Sequence, residues 1–456
     1  MSSLLYLGAS GFQASQQSVR TASDNIANVD TPAFRRRESI QSARATASAG
    51  RGQTAGGGVQ VDGTKRVVDR AIERQLRSAK SSTGRAEARF DALSRAEVTF
   101  NELDGGRVTA RFEALIGSFE QLAAQPQDIG ARQRVLSAAS EFASNINALV
   151  GELRAQQREL GLQATDQIGQ VNELSDRIAE LNQQIGGSQN PSPAMLDRRD
   201  EALHSLSELV EVEVIETNGQ ISVSLRGSGY GLVTDGVSRH LSSSTLRGTI
   251  LVQGERASAG LDLTVSLTSG ALAGTLDAAN RDLSSLIDGI EQFAADFANT
   301  VNRVHGAGFG IDGQNGRSLF SVQVSEGVVL QVDSALVGRP DRVAAGQDAR
   351  LLPGDNRNAV ELSQLRQANL PQGLTAEASL RAVVVDFAVS VQSSSVHSQA
   401  TTAVRDQLEQ MQAGLSGVSL DEEMTRLLQF RQSYAAAAQV IRTADELMRE
   451  VVSLKR

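Results

Sequence analysis

The sequence has no cysteine and no tryptophan, and it holds three lysines (Lys65, Lys80 and Lys455) and seven prolines. Aromatic residues make up 4% of its 456 positions. The missing cysteine excludes disulfides and thiolate metal sites. So few aromatics are lean for a globular enzyme and normal for helical bundles built from Leu, Ala, Ile and Val. No stretch approaches the roughly 20 apolar residues of a membrane span, so no membrane insertion is expected. The N-terminus lacks a charged region followed by a long apolar run, so no ordinary secretory signal is read there. A protein of this kind that leaves the cell would use another route. The net charge of −9 argues against a nucleic-acid partner. The one basic cluster, Arg35-Arg36-Arg37, reads as a solvated surface.

Catalytic chemistry is missing as well. No two of His204, His240, His305 and His397 have metal-ligand spacing, so no metal site is expected. The glycine runs at 227–231 and 306–310 lack the G-x-G-x-x-G spacing, and no Walker-type lysine follows them. The loop Asp312-Gly313-Gln314-Asn315-Gly316 lacks the second acid and the terminal Glu of a calcium loop. There is no nucleophile elbow. No catalytic, cofactor-binding or metal residue can be named, and the chain reads as a non-enzyme without a cofactor.

What the sequence does have is a seven-residue apolar beat at each end. It runs Leu5, Phe12, Val19, Ile26 near the start and Leu420, Leu427, Tyr434, Ile441, Met448 near the finish. Such a stripe lies on one side of an α-helix and needs a partner helix. These nine positions are the expected assembly seam, the first four set against the later ones. Ser419 and Glu422 form a capping box that starts the last helix near Leu420.

Between the ends, Asp30-Thr31-Pro32 stops the first helix, and residues 41–64 read as an extended connector rich in Gly, Ala and Ser. Helical periodicity returns from about Val68 to Asn101. A seam from Val135 to Ile185 predicts a helix of roughly 55 residues, about 80 Å long. The period then changes to two at Val210, Val212 and Val214, and at Ile221, Val223 and Leu225 around Asn218-Gly219, a hairpin signal. Leu261, Leu263, Val265 and Leu267 alternate again. Helices follow at 276–301 and from Thr375 past Leu408. The expected fold is mainly α with a β insert: a long antiparallel bundle or coiled coil formed by the N- and C-terminal halves. Its segments are residues 1–45 and 415–456 as terminal assembly helices, and 46–200 and 271–414 as a helix bundle with an irregular excursion near 308–355. Residues 201–270 are the inserted β domain.

Asn25-Ile26-Ala27-Asn28, followed by Thr31 and Pro32, is similar to the N-I-A-N-x-x-T-P-G-Y signature of bacterial flagellar axial proteins. The sequence departs from that signature with Ala33 for the usual Gly, which argues against a positive-φ turn there, and with Phe34 for Tyr. The C-terminal stretch from Gly417 through Leu447 resembles the end of the FlgK type of hook-associated protein. Leu196-Asp197-Arg198-Arg199-Asp200 and Ser269–Asp277 resemble that family's entry into and exit from its β domain. The resemblance implies a structural subunit joining hook to filament, self-assembling into a ring or tube through paired terminal helices. It implies the hook protein and a second hook-associated junction protein as partners, and an export chaperone at the C-terminal helix. It also implies passage through the flagellar type III apparatus to the extracellular flagellum. The alternatives are a hook or distal-rod subunit of the same axial family and a non-flagellar coiled-coil adaptor.

Overall fold

The computed structural model describes residues 2–31, 33–44, 57–104, 107–188, 191–217, 219–246, 248–255, 260–324 and 327–453. Pro32, residues 45–56, Gly105, Gly106 and Asn218 lie outside that set.

Helix α1 (Ser2–Ala27) comes first. Strands β1 (Arg37–Ala43) and β2 (Val59–Arg66) pair antiparallel, so residues 41–43 and 59–64 of the expected connector are paired strand instead. Only Ile40, Val59 and Val61 are apolar among the outer positions of these strands, too few to give a period-two signal. Next come α2 (Arg70–Asp104), α3 (Arg107–Ala124) and α4 (Ile129–Gly186). The Asp69 carboxylate accepts from the N–H groups of Ala71 and Ile72, and Asp128 does the same for Gly130 and Ala131. Each thereby satisfies helix-start donors that would otherwise lack a partner. Helix α5 (Pro193–Leu209) is capped by the Ser192 hydroxyl on Met195 N–H.

The region that alternates in period two contains β3 (Val212–Thr217), β4 (Gln220–Leu225), β5 (Gly231–Thr234) and β6 (Val237–Ser238), an antiparallel sheet in that order. A second sheet holds β7 (Leu241–Leu246), β8 (Thr249–Gly254) and β9 (Leu261–Asp262). The expected alternation from Leu261 to Leu267 gives only the two residues of β9. The Asp262 carboxylate accepts from both the backbone N–H and the hydroxyl of Thr264, which diverts the backbone into a 3₁₀ turn and leaves Val265 exposed. Helix α6 (Ala271–Asp277) passes through a π turn (Ala278–Leu283) into α7 (Ser284–Ala307). A hairpin of β10 (Phe320–Val324) and β11 (Val328–Val332), then α8 (Arg357–Ser363), α9 (Ala376–Ser416) and α10 (Leu420–Ser453), complete the chain. The fold is mainly α with small antiparallel sheets, as the periodicities predict.

Two compact units divide the chain. One comprises Met1–Ser82, Gln170–His240 and Thr401–Arg456, the other Thr83–Gly169 and Leu241–Ala400. The chain passes from one unit to the other within α2, α4 and α9 and between β6 and β7, so the expected terminal segments fall in the first unit while the expected bundle and β segments are each divided. In the second unit, Phe112 on α3, Phe142 on α4 and Phe293 and Phe297 on α7 form a buried aromatic cluster. Phe297 lies edge-on to Phe112 at 5.2 Å and to Phe142 at 5.5 Å between ring centres. Such edge-to-face contacts add about 0.5–1.5 kcal/mol each beyond area burial.

Every sheet among the described residues is tied to a helix by an asparagine. The side-chain amide donates to the carbonyl of a strand residue and accepts from the same residue's N–H. Asn25 holds Arg37 of β1, Asn182 holds Ile221 of β4, and Asn280 holds Ile250 of β8. Asn302 holds Phe320 and Asn147 holds Leu330 in the β10–β11 hairpin. An amide side chain offers a donor and an acceptor in the same plane, so it completes a strand edge as another strand would. These strands are short, and the two-point bond adds an anchor to apolar burial at β4, β8, β10 and β11 and stands in for it at β1.

Candidate assembly site at the paired termini

Helices α1 and α10 pack antiparallel on each other. Asn25 meets Glu423, Phe12 meets Tyr434 with ring centres 4.3 Å apart, and Gly8 lies against Ile441. The facing strip of α1 alternates the heptad residues Leu5, Phe12, Val19 and Ile26 with the small residues Gly8, Gly11, Ser15 and Ala22. A methyl group added at Gly8 would sit 2.8 Å from Ile441 Cγ1, so glycine there sets how closely the two backbones approach. The opposite edge of α1 carries Ser10, Ala14, Ser18 and Thr21, all buried, and rests on the β1–β2 hairpin. There Gln41 Nε2 donates to the Ser18 hydroxyl at 2.8 Å, and Val59 N–H donates to the Ser10 hydroxyl at 3.2 Å.

Of the nine seam positions, Leu5, Phe12, Val19, Ile26, Leu427 and Ile441 are half-buried, and Tyr434 is at the border of exposure while its ring lies tilted against Phe12. Leu420 and Met448 are exposed. The register explains both. Helix α10 has 34 residues against 26 in α1, so Leu420 lies opposite the end of α1 and Met448 beyond its start. Exposed apolar residues flank the facing strip on both edges of α10. Leu420, Met424 and Leu428 follow one edge, and Val440, Leu447 and Val451 the other.

The signature residues act as clasps. Asn25, fully buried, holds the backbone of β1 and also donates to Glu423 Oε2 at 3.0 Å, joining α1, β1 and the first turn of α10. Asn28 Nδ2 donates to the Asp24 carbonyl at 2.8 Å, and Thr31 donates to Asn28 Oδ1. Ala33 sits at φ 60°, so the turn is left-handed despite the methyl group. The objection that alanine disfavours such a turn fails because bonds on either side fix the chain: Thr31 N–H to Asn28 O, and Phe34 N–H to Thr31 O.

The arginine run expected to be solvated is engaged throughout. Arg35 binds Glu73 at 3.1 Å, Arg36 binds Glu422 at 3.3 Å, and Arg37 binds Asp24 and, at 3.2 Å, Asp197. Arg66 binds Asp197 at 2.9 Å and Asp200 at 2.7 Å. The Leu196–Asp200 motif thus supplies carboxylates to the hairpin that supports α1. Glu73 is the centre of a buried cluster, accepting from Arg35 and from Gln412 (2.7 Å) and pairing with His204 at 2.8 Å. Burial alone would raise the pKa of Glu73. The His204 bond and charge, with Arg35 and Gln412, outweigh burial and lower it to about 2. Sequence reasoning missed this cluster because its members lie at positions 35, 73, 204 and 412, and no local pattern links them.

In the second unit, Gly274 of the Ser269–Asp277 motif presses its backbone against the Arg85 carbonyl, where a methyl would sit 2.2 Å from that oxygen. The Arg85 guanidinium in turn binds Asp277 at 2.7 Å. Asp312, in the loop compared with a calcium site, is bound by Arg317 at 2.6 Å.

A chain whose first and last helices fold into one antiparallel pair, with apolar flanks left facing outward, belongs to the class of helical assembly subunits. The family profile described as "Flagellar hook-associated protein FlgK helical domain" matches residues 93–320. Profiles described as "Flagella basal body rod protein" and "Flagellar basal body rod FlgEFG protein C-terminal" match residues 5–35 and 414–454. Flagellar hook-associated protein 1 of Salmonella typhimurium is 24% identical over 557 aligned positions, covering 100% of both chains. The same-named protein of Escherichia coli K12 is 24% identical over 551 positions, again covering 100% of both. Both alignments are longer than this chain, so the relatives carry stretches it lacks. The flagellar hook junction protein FlgK from Burkholderia pseudomallei is structurally similar, with a TM-score of 0.51 and 29% identity over 55% of this chain and 47% of that one. The chain belongs to the FlgK family of flagellar hook-associated proteins, structural components of the bacterial flagellum at the hook–filament junction.

Proposed function

We propose that the α1–α10 pair is the element through which copies of this chain assemble into a ring or tube, with residues 1–45 and 415–456 as the assembling segments. Residues 46–200 and 271–414, and the β-rich 201–270, act in this reading as the parts carried by that tube. Seven seam positions, Leu5, Phe12, Val19, Ile26, Leu427, Tyr434 and Ile441, hold the pair together, and neighbouring subunits cover Leu420, Met448 and its apolar flanks. The observation that carries this reading is the exposure of α10, where Glu423 and Ala444 are the buried residues among those described. A helix that buries so little within its own chain gains little there. Burying a Leu, Val or Met against a neighbour contributes on the order of 1.5–3 kcal/mol. The relatives' names support association with the hook, and the hook protein and a second hook-associated junction protein are the flanking partners in this reading. The uncovered C-terminal helix suits capture by an export chaperone, and the flagellar type III apparatus is the export route in this reading. The role is structural, without catalysis or cofactor.

Leu427→Asp tests the reading. It places a charge in the facing strip of α10, outside the buried aromatic core described above. The expected result is a soluble, folded chain with a normal main thermal transition that no longer forms filament-bearing junctions in cells. Normal filament growth with this variant contradicts the seam.

A further inference from the structure

A cavity of about 590 Å³ in the first unit lies beside β2, α2, α5 and the β3–β4 hairpin, apart from the terminal helix pair. Six cationic side chains line it: Lys65, Arg66, Arg70, Arg74, Arg77 and Arg199. Its carboxylates are Glu73, Asp200 and Glu216, and each is already in use. Glu73 is held by Arg35, His204 and Gln412, Asp200 by Arg66, and Glu216 by Arg70 at 3.0 Å. Arg74 and Arg77 make no hydrogen bond or ion pair among the described residues. Arg199 is buried, spends Nη1 on the Gly219 carbonyl at 2.7 Å, and leaves its buried Nε–H without a partner. Val68, Leu203 and Ile221 give the cavity an apolar wall. Such a wall lowers the local dielectric and strengthens attraction between the guanidinium groups and an anion. Burial holds Arg77 below the usual guanidinium range, and Arg74 pushes the same way against Glu73 and Asp200. An anion placed between the two arginines relieves that repulsion.

We propose that this cavity is an oxyanion site in which Arg74, Arg77 and the free Nε–H of Arg199 bind carboxylate or phosphate groups. The volume exceeds a single small ion and suits a ligand with two or more anionic groups. Planar guanidinium forks match carboxylate and phosphate geometry in two-point contacts. Two sources of such groups are open to it: a free polyanion, or the acidic side chains of a second copy of this chain, whose net charge is −9. The site does not depend on the assembly reading, since no seam residue contributes to it.

The test is isothermal titration of the full chain with tripolyphosphate and with citrate at low salt, beside sedimentation velocity without added polyanion. Both are repeated on Arg74→Gln, which removes an exposed side chain without a hydrogen bond or ion pair among the described residues, on Arg77→Lys, and on the Arg74→Gln/Arg77→Gln double variant. Circular dichroism monitors folding. A free polyanion as ligand gives binding that weakens with added salt. It falls about tenfold or more in the double variant and less in Arg77→Lys. Carboxylates of a second copy as ligand give salt-sensitive self-association of the wild type that Arg74→Gln weakens, with no heat from either polyanion. Equal polyanion binding and equal self-association in wild type and Arg74→Gln overturn the proposal, as does the absence of both in the wild type.

Discussion

At the scale of single residues, polar side chains in unusual settings hold the assembly site together. Ala33 occupies a left-handed turn where the axial signature has glycine. The methyl group costs about 1–2 kcal/mol there, while glycine costs roughly 0.5–1 kcal/mol in unfolded-state entropy. Ala33→Gly is therefore expected to stabilise the chain by a few tenths to about 1 kcal/mol, read as a raised urea midpoint. An unchanged or lowered midpoint contradicts the strain argument. Two buried groups contribute to the pH response. Burial lowers His305 to about 4, where its Nδ1–H donates to the Arg317 carbonyl and Nε2 accepts from Ala344 N–H, so the neutral ring is the one that fits. A depressed histidine contributes stability that is fully present above its unfolded value near 6.5 and is lost as pH falls toward 4. Glu73, lowered to about 2, contributes stability that is present above its unfolded value of 4.5 and lost as pH falls toward 2. Chemical denaturation between pH 7 and 3 should therefore show two successive losses. Glu73→Gln should remove the lower one, at a cost of about 3 kcal/mol near neutrality. A variant with the wild-type profile at low pH contradicts the role of Glu73.

At the scale of elements, the helix pair was half legible. The heptads at Phe12 and Tyr434 identify two helices that need partners, and those rings meet. The small residues beside them were not read, because Gly8 and Gly11 in a helix look like weak points rather than contact points. Their roles separate by experiment. Gly11 has room for a methyl, with Ala437 at 3.7 Å, so Gly11→Ala should raise stability by up to about 1 kcal/mol through helix propensity. Gly8→Val collides with Ile441 and should cost about 1–3 kcal/mol and loosen both termini in proteolysis. Equal effects at the two positions contradict the close approach at Gly8. The strands divide in the same way. Period-two alternation exposes β3, β4 and their turn, because those side chains alternate between core and solvent. It misses β1 and β2, whose anchorage is Asn25 rather than apolar burial. The Arg35-Arg36-Arg37 run was misread because Asp24, Glu73, Asp197 and Glu422 are dispersed along the chain and only the fold gathers them.

At the scale of the whole molecule, the two compact units contrast in how they are held. The second unit closes on Phe112, Phe142, Phe293 and Phe297, buried from all sides. The first ends in α10, whose edges carry Leu420, Met424, Leu428, Val440, Leu447 and Val451 exposed. Exposed apolar residues in such numbers on one helix are the surface that the proposed assembly would cover. Hydrogen exchange on the free chain and on the same chain in purified hook–filament junctions reads this contrast directly. The account predicts fast exchange in residues 2–27 and 420–453 of the free chain, slow exchange in α3 and α7, and strong protection of both termini once assembled. Terminal helices that are as protected as α7 in the free chain, and unchanged on assembly, contradict it.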